Sequence, residues 1–119
     1  MKEAGSPIDF AAVLELLGGD RQLVHALLGT FLEELSSDLE ASQLAMADDD
    51  AESLRRLAHR IKGTSASLHA LIVSAAAREL EQACMEGHPA VIAARQLVMA
   101  DQAQILMGAI REWRSQMVD

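Results

Sequence analysis

His59 lies in a short basic stretch whose composition suits chemistry on a phosphoryl group. Four of the ten Lys and Arg residues fall within eight positions around it: Arg55, Arg56, Arg60 and Lys62. A neutral imidazole is a nucleophile, and a phosphoryl group adds about two negative charges to the residue that carries it. A cation three or four residues away on the same helical face stabilises such a group. The pattern therefore favours a histidine that carries a phosphoryl group.

The same stretch has helical periodicity, which predicts where the histidine points. At about 100° per residue, one set of side chains is expected to face a core: Leu54, Leu57, Ile61, Thr64 and Leu68. His59 lies almost opposite that set, with Gly63 and Ala66 beside it. Glycine in a helix interior costs up to about 1 kcal/mol relative to alanine, so Gly63 indicates close approach by another protein.

These residues resemble the signature of the histidine-containing phosphotransfer (HPt) domains. The core of the signature is His59-Arg-Ile-Lys62-Gly63, preceded by Leu57-Ala58 and followed by Ala76-Ala77-Arg78-Glu79-Leu80-Glu81. The resemblance extends over most of residues 8–114. One departure is His69, because the family usually has glycine at this position near the end of the histidine-bearing helix.

The resemblance implies that the protein shuttles phosphoryl groups. HPt domains accept the group from an aspartyl phosphate of one receiver domain and pass it to a second receiver. Here His59 would be the phosphoacceptor, Lys62 would screen the phosphoryl oxygens, and Gly63 would admit the loops of the receiver. The candidate partner-binding residues are Arg55, Arg56, Arg60 and Ala66, although the arginines could equally form an ordinary solvated face.

The resemblance also bears on cofactors and partners. The receiver would supply Mg²⁺ and the acidic pocket, so we expect no metal on this chain. The expected partners are receiver domains of response regulators or of a hybrid sensor histidine kinase, and we expect the chain to be a monomer. No Gly-rich nucleotide motif is present, so we expect a phosphotransfer intermediate without ATP-dependent kinase activity of its own. A non-catalytic helical module for protein interaction or dimerisation remains the alternative.

Other candidate ligands receive no functional role. None of the four histidines has Glu three positions before it, as a di-metal bundle would require. His25, His69 and His88 are therefore read as structural or surface residues. Asp48-Asp49-Asp50 lacks the spacing of a calcium loop, and Cys84, the single cysteine, is expected to be a small buried residue.

Sparse Gly and Pro residues divide the chain into pieces of helical length. Five helices are predicted: Asp9 to Leu17; a second, capped by Asp20, to about Ala47; a third from about Asp50 to Ala70; a fourth from Val73 or Ser74 to before Gly87; and a fifth from Pro89 to about Met117. Short connections favour antiparallel neighbours. The predicted fold is all-α, an up-and-down antiparallel four-helix bundle with a short additional N-terminal helix, over residues 8–117. Residues 1–7 are expected to be a flexible segment.

The pattern of apolar residues also predicts which side chains form the core. In the second helix these are Leu23, Leu27, Phe31, Leu35, Leu39 and Ala45 or Met46. In the fifth helix they are Val91 or Ile92, Leu97 or Val98, Ile105 or Leu106, Ile110 and Trp113.

Composition limits the remaining possibilities. The 119 residues suit one domain, and half of them are apolar, which argues against disorder. A net charge of -8 disfavours nucleic acid and anionic membranes as partners. The absence of an apolar run of about 20 residues, and the single cysteine, lead us to expect a cytoplasmic protein. The acids are unevenly placed, with eight of them and no base from Glu33 to Glu52.

Overall fold

The computed structural model describes residues 6–117, and all regular structure in that range is helical. The helices are α1 (Phe10–Leu16), α2 (Arg21–Ala47), α3 (Ala51–Ser67), α4 (Leu71–Glu86) and α5 (Pro89–Gln116). The predicted ends of α1, α2 and α5 are confirmed to within a residue. Most of the predicted flexible segment, residues 1–5, lies outside the described residues.

Side-chain caps explain why the first three helices begin where they do. Asp9 accepts from the backbone N–H of Ala12, and Asp20 accepts from that of Leu23, both at 3.0 Å. Asp50 accepts from the N–H of Ser53 at 3.0 Å. Each carboxylate satisfies a donor that the first helical turn leaves free. Helix α5 begins instead at a proline, whose ring presets the helical φ angle.

The junction between α3 and α4 differs from the prediction. Helix α3 ends at Ser67 rather than near Ala70, and α4 begins at Leu71 rather than at Val73 or Ser74. His69 adopts a left-handed backbone, with φ of 58°, and the N–H of Ala70 donates to the carbonyl of Ser65 at 2.8 Å. This geometry ends helices, and glycine adopts it most easily. It therefore accounts for the glycine usual at this position in the HPt family.

The four long helices form the predicted antiparallel bundle, in which each packs against two neighbours. Two hydrogen bonds show the opposite directions of α2 and α5. Gln96, early in α5, donates to Ser42 at 2.9 Å, whereas Arg114, late in α5, donates to the carbonyl of His25 at 3.1 Å. The core is aliphatic with methionine, as its fully buried members show: Leu28, Leu35, Leu54, Ile61, Leu80, Met99, Leu106 and Ile110.

Helix α1 covers one end of the bundle. The ring of Phe10 stacks on that of Trp113 in α5, with centroids 5.2 Å apart and planes 5° from parallel. The N–H of Asp9 donates to the carbonyl of His69 at 3.2 Å, which ties the start of α1 to the turn between α3 and α4. No helix in the described range is long and apolar enough to cross a lipid bilayer.

The buried faces of two helices are rotated relative to the prediction. In α2, Val24 is buried, whereas Leu23 is 49% exposed and Leu27 is half-buried. In α3 the fully buried positions include Ala58 and Ser65, whereas Leu57 and Thr64 are half-buried. The predicted core positions Phe31, Leu35, Leu39, Leu54, Ile61 and Leu68 are confirmed.

Helix α5 shows the largest correction. Ile92, Leu106 and Ile110 are buried as expected, but four other apolar side chains are exposed: Val91, Leu97, Val98 and Ile105. Their places in the core are taken by Gln96, Met99, Ala103 and Met107. Apolar residues surround most of α5, so their periodicity alone does not fix which side faces the bundle.

Candidate functional site

His59 is displayed on the outer side of α3. Its side chain is 65% exposed, while Leu54 and Ile61 of the same helix point into the core. The predicted outward orientation of this histidine is therefore confirmed.

One carboxylate on α4 contacts both polar side chains of the site. The His59 Nδ1 atom lies 2.8 Å from Glu81 Oε2, and Lys62 Nζ donates to Glu81 Oε1 at 2.7 Å. The Glu81 side chain is only 12% exposed. The Lys62 hydrogen bond is the main cause that lowers the pKa of Glu81; burial opposes it, and the His59 contact adds to the lowering. Glu81 is therefore an anion held between the two side chains.

This contact determines the tautomer of the neutral imidazole. An ionised carboxylate only accepts hydrogen bonds, so Nδ1 carries the proton that is donated to Glu81. The lone pair of the neutral ring is then on Nε2, the nitrogen that does not contact Glu81. His59 thus presents a nucleophilic nitrogen on an exposed side chain.

A second contact fixes the position of α4 against α3 at this level. The hydroxyl of Ser74 donates to the backbone carbonyl of Lys62 at 2.9 Å. It lies about two helical turns before Glu81 on α4. The backbone that bears Lys62 is therefore held by α4 independently of the ion pair.

The arginines around His59 do not form the free basic surface that their sequence positions suggest. Arg55 is bidentate with Glu52, at 3.1 and 2.6 Å, and Arg56 contacts the same carboxylate at 3.3 Å. These bonds lower the pKa of Glu52 to about 2. Arg60 is bidentate with Asp38 of α2, at 3.2 and 2.6 Å. Each cation of the stretch is thus paired with an acid.

The surface beside His59 is open where the small residues lie. Gly63 is exposed, and no atom outside its own helix backbone lies within 4 Å of a Cβ built on it. Packing within the chain therefore does not require glycine at this position. Ala66, one turn further on, is also exposed.

The other three histidines lie apart from this site. His25 is half-buried in α2, His69 is in the turn after α3, and His88 is the residue just before α5. Cys84 is half-buried rather than buried as predicted, and burial raises the pKa of its thiol. Within residues 6–117, no group of three or more His, Cys, Asp or Glu side chains is placed to hold a metal ion.

Glu81 was not among the site residues predicted from sequence, although it belongs to the segment on which the resemblance rests. It lies 22 positions from His59, on a different helix. Its sequence signal is an acid on an α4 face that otherwise carries buried apolar residues such as Ala77 and Leu80.

Comparison with known proteins agrees with this fold. The family model of the Hpt domain matches residues 26–113. No curated protein matches the chain. Histidine-containing phosphotransfer protein B (HptB) from Pseudomonas aeruginosa PAO1 is 23% identical, with a TM-score of 0.85 over 95% of this chain and 98% of that one. The HPT domain of a Shewanella Hpt sensor hybrid histidine kinase is 18% identical, with a TM-score of 0.79 over 92% and 95%. The chain belongs to the Hpt domain family and has a histidine phosphotransfer role in phosphorelay signalling.

Proposed function

We propose that His59 is the phosphoacceptor, which receives the phosphoryl group from an aspartyl phosphate of one receiver domain and passes it to a second. One observation carries this proposal. An imidazole that is 65% exposed has its Nδ1 atom held at 2.8 Å by a buried carboxylate. That arrangement leaves Nε2 both nucleophilic and accessible to a partner protein.

The transfer step follows from this geometry. The Nε2 lone pair forms a bond to phosphorus, and the bond from phosphorus to the aspartyl oxygen breaks with its electron pair on the receiver carboxylate. The ring gains positive charge, because Nδ1 keeps its proton. Glu81 stabilises that charge through the Nδ1 contact, as a carboxylate orients and stabilises histidine in catalytic triads. Transfer to the second receiver is the same step in reverse.

The neighbouring residues take supporting roles. Lys62, held beside His59 by Glu81, screens the phosphoryl oxygens, and Gly63 admits the loops of the receiver. The docking surface consists of the exposed face of α3, including Ala66, and the adjacent side of α2. Arg60 joins the two helices within it. Arg55, which is bidentate with Glu52, is assigned a structural role.

The partners supply what this chain does not. In the proposed reaction Mg²⁺ and the acidic pocket belong to the receiver, and ATP-dependent phosphorylation belongs to a kinase upstream. The contact is modest and transient, as suits a shuttle that leaves one partner for another. We place the chain in the cytoplasm as a monomer.

Transfer of label from a phosphorylated receiver tests the proposal. Receiver domains of the same genome, phosphorylated with labelled acetyl phosphate, are mixed with wild type, with His59→Gln and with His88→Gln. We expect label on the wild type and on His88→Gln, the control variant at an exposed histidine. We expect no label on His59→Gln. Equal labelling of all three proteins, or labelling of none by any receiver, would overturn the assignment.

A further inference from the structure

We propose that Arg56 binds the phosphoryl group once it is on His59, and that Glu52 holds Arg56 in the unphosphorylated protein. This inference rests on the proposed function of His59. It assigns a specific role to one arginine in a stretch where four cations are close in sequence but differ in their contacts.

Three of the four cations are committed to short contacts. Arg55 and Arg60 each make two hydrogen bonds to one carboxylate, with shortest distances of 2.6 Å. Lys62 is 2.7 Å from Glu81. These pairs are the kind that hold a side chain in one geometry.

Arg56 is the loosely held cation. Among residues 6–117, its one ion-pair contact joins Nε to Glu52 Oε2 at 3.3 Å, and that oxygen already accepts from Arg55 at 2.6 Å. The Arg56 side chain is 68% exposed. Both terminal nitrogens of its guanidinium are therefore available to an anion.

The helix places Arg56 where such an anion would form. Arg56 precedes His59 by three residues, a spacing that makes side chains neighbours on a helix. On the helical wheel it lies on the same side of His59 as Arg60, whose partner Asp38 is on α2. Glu81 holds Nδ1 from the α4 side, so Nε2 lies away from that carboxylate.

Exchange of partners by Arg56 costs little. A phosphoryl group carries about two negative charges and three acceptor oxygens, compared with the single charge of Glu52. When Arg56 leaves, Glu52 keeps both of its hydrogen bonds to Arg55. Phosphorylation of His59 therefore replaces a weak shared contact with a contact to a stronger anion, and leaves no carboxylate unpaired.

The equilibrium of transfer tests this role separately from docking. At protein concentrations too low for the chain and the receiver to stay bound to each other, the equilibrium distribution of the phosphoryl group depends only on the two unbound proteins. A residue that only contacts the receiver changes the rates and not this distribution. A residue that stabilises the phosphoryl group on His59 changes the distribution itself.

We expect Arg56→Ala to shift the distribution about three- to fivefold toward the receiver, as loss of an exposed ion pair predicts. Arg56→Lys, which keeps the charge, should give a distribution close to that of the wild type. Arg55→Ala removes the same charge from the adjacent position and should change it by less than about twofold. Equal shifts in Arg55→Ala and Arg56→Ala, or no shift in either, would overturn the inference.

A titration by ³¹P NMR gives a second measurement that needs no receiver. The chain is loaded on His59 with phosphoramidate, a small phosphoryl donor, and the pKa of the phosphoryl group is followed. Arg56→Ala should raise that pKa, because a bound cation favours the dianion; the same pKa in wild type and variant would contradict binding by Arg56. Labelling of wild-type His59 tests the proposed function, whereas differences among the arginine variants test this inference, so the two can fail separately.

Discussion

The carboxylate of Glu81 accepts from both His59 and Lys62, so the effect of its charge on transfer can be tested directly. Glu81→Gln keeps the size and a hydrogen-bond acceptor but cannot balance the positive charge that the ring gains during attack. We expect the rate of label uptake from a phosphorylated receiver to fall roughly tenfold, which corresponds to about 1.4 kcal/mol in the barrier. Glu79→Gln, which removes a charge from an exposed position of the same helix, should keep the wild-type rate. Equal rates for Glu81→Gln and wild type would remove the carboxylate from the mechanism.

Lys62 is expected to set the ionisation of Glu81. Its hydrogen bond is the main cause of the lowered pKa, so Lys62→Ala should raise the pKa of Glu81 toward its ordinary value. A carboxyl group whose pKa is lowered by folding stabilises the folded protein at pH values above its ordinary pKa. This contribution is lost as the pH falls through the lowered pKa. Lys62→Ala should therefore lose less stability than wild type on acidification. Titration of the Glu81 carboxyl carbon by ¹³C NMR measures the shift, and an unchanged pKa would contradict this assignment.

Lys62→Ala should also affect the phosphorylated state without unfolding the bundle. The carbonyl of Lys62 keeps its hydrogen bond to Ser74 whatever side chain is present. We therefore expect native helical content by circular dichroism together with slower transfer or a shorter phosphohistidine lifetime. Wild-type values for both kinetic quantities would mean that Lys62 does not contact the phosphoryl group.

At the scale of single residues, the sequence predicts which side chains bear chemistry but not which side chains they contact. His59, Lys62 and Gly63 are close in sequence on one helix, so helical geometry alone brings them together. Glu81 reaches His59 only through the packing of α4 on α3, and Asp38 reaches Arg60 only through that of α2 on α3. Charge counted along one segment therefore predicts a basic surface, whereas acids from the same helix and from two neighbouring helices neutralise most of it.

At the scale of the helix, Gly63 provides a test with an internal control. No neighbouring atom would meet a Cβ at Gly63 or at Gly108 of α5, so alanine at either position should stabilise its helix by about 0.5–1 kcal/mol. Only Gly63→Ala adds a side chain beside His59. We expect both variants to unfold at higher denaturant concentration, and only Gly63→Ala to transfer phosphoryl groups more slowly. Equal transfer rates in the two variants would show that the receiver does not approach closely at Gly63.

The turn after α3 allows a second test at this scale. His69 has φ of 58°, where a side chain is strained and glycine is not. His69→Gly should therefore stabilise the protein, by about 0.5–1 kcal/mol. His88→Gly, at φ of -93°, relieves no strain and should leave stability the same or lower it. Thermal unfolding followed by circular dichroism measures both, and a fall in stability for His69→Gly would mean that its side chain makes a compensating contact.

Helix ends were predictable where a residue type marks them. Asp9, Asp20 and Pro89 are recognisable start signals, and the predicted starts at these residues are confirmed. Helix α4 begins at Leu71 after Ala70, an N-cap residue that offers no side-chain hydrogen bond, and the left-handed turn before it is made by a histidine. Neither feature can be read from residue type. The predicted buried faces of α2, α3 and α5 were also wrong in part, because each helix has apolar residues next to the face that packing selects.

At the scale of the whole molecule, the contact of α1 with the bundle is separate from the site. Phe10 and Trp113 meet near Arg21, at the start of α2, whereas Arg60 and His59 lie level with Asp38. Asp9, next to Phe10, contacts the carbonyl of His69, which follows His59 by ten residues, so these two levels are about 15 Å apart along α3. Phe10→Ala should therefore lower stability by roughly 1–3 kcal/mol, the range for loss of a partly buried aromatic contact, and leave the transfer rate unchanged. A matching loss of transfer in the folded variant would show that the two ends are coupled.

Trp113 is the only tryptophan of the chain, and it lies against Phe10 with the guanidinium of Arg21 5.9 Å from its ring. Its fluorescence therefore reports on the α1 end of the bundle and on no other region. Binding of a receiver at His59 should leave the emission of Trp113 unchanged, whereas detachment of α1 or global unfolding should shift it to longer wavelength. The molecule thus carries an intrinsic optical probe that distinguishes loss of structure from occupation of the site, without any added label.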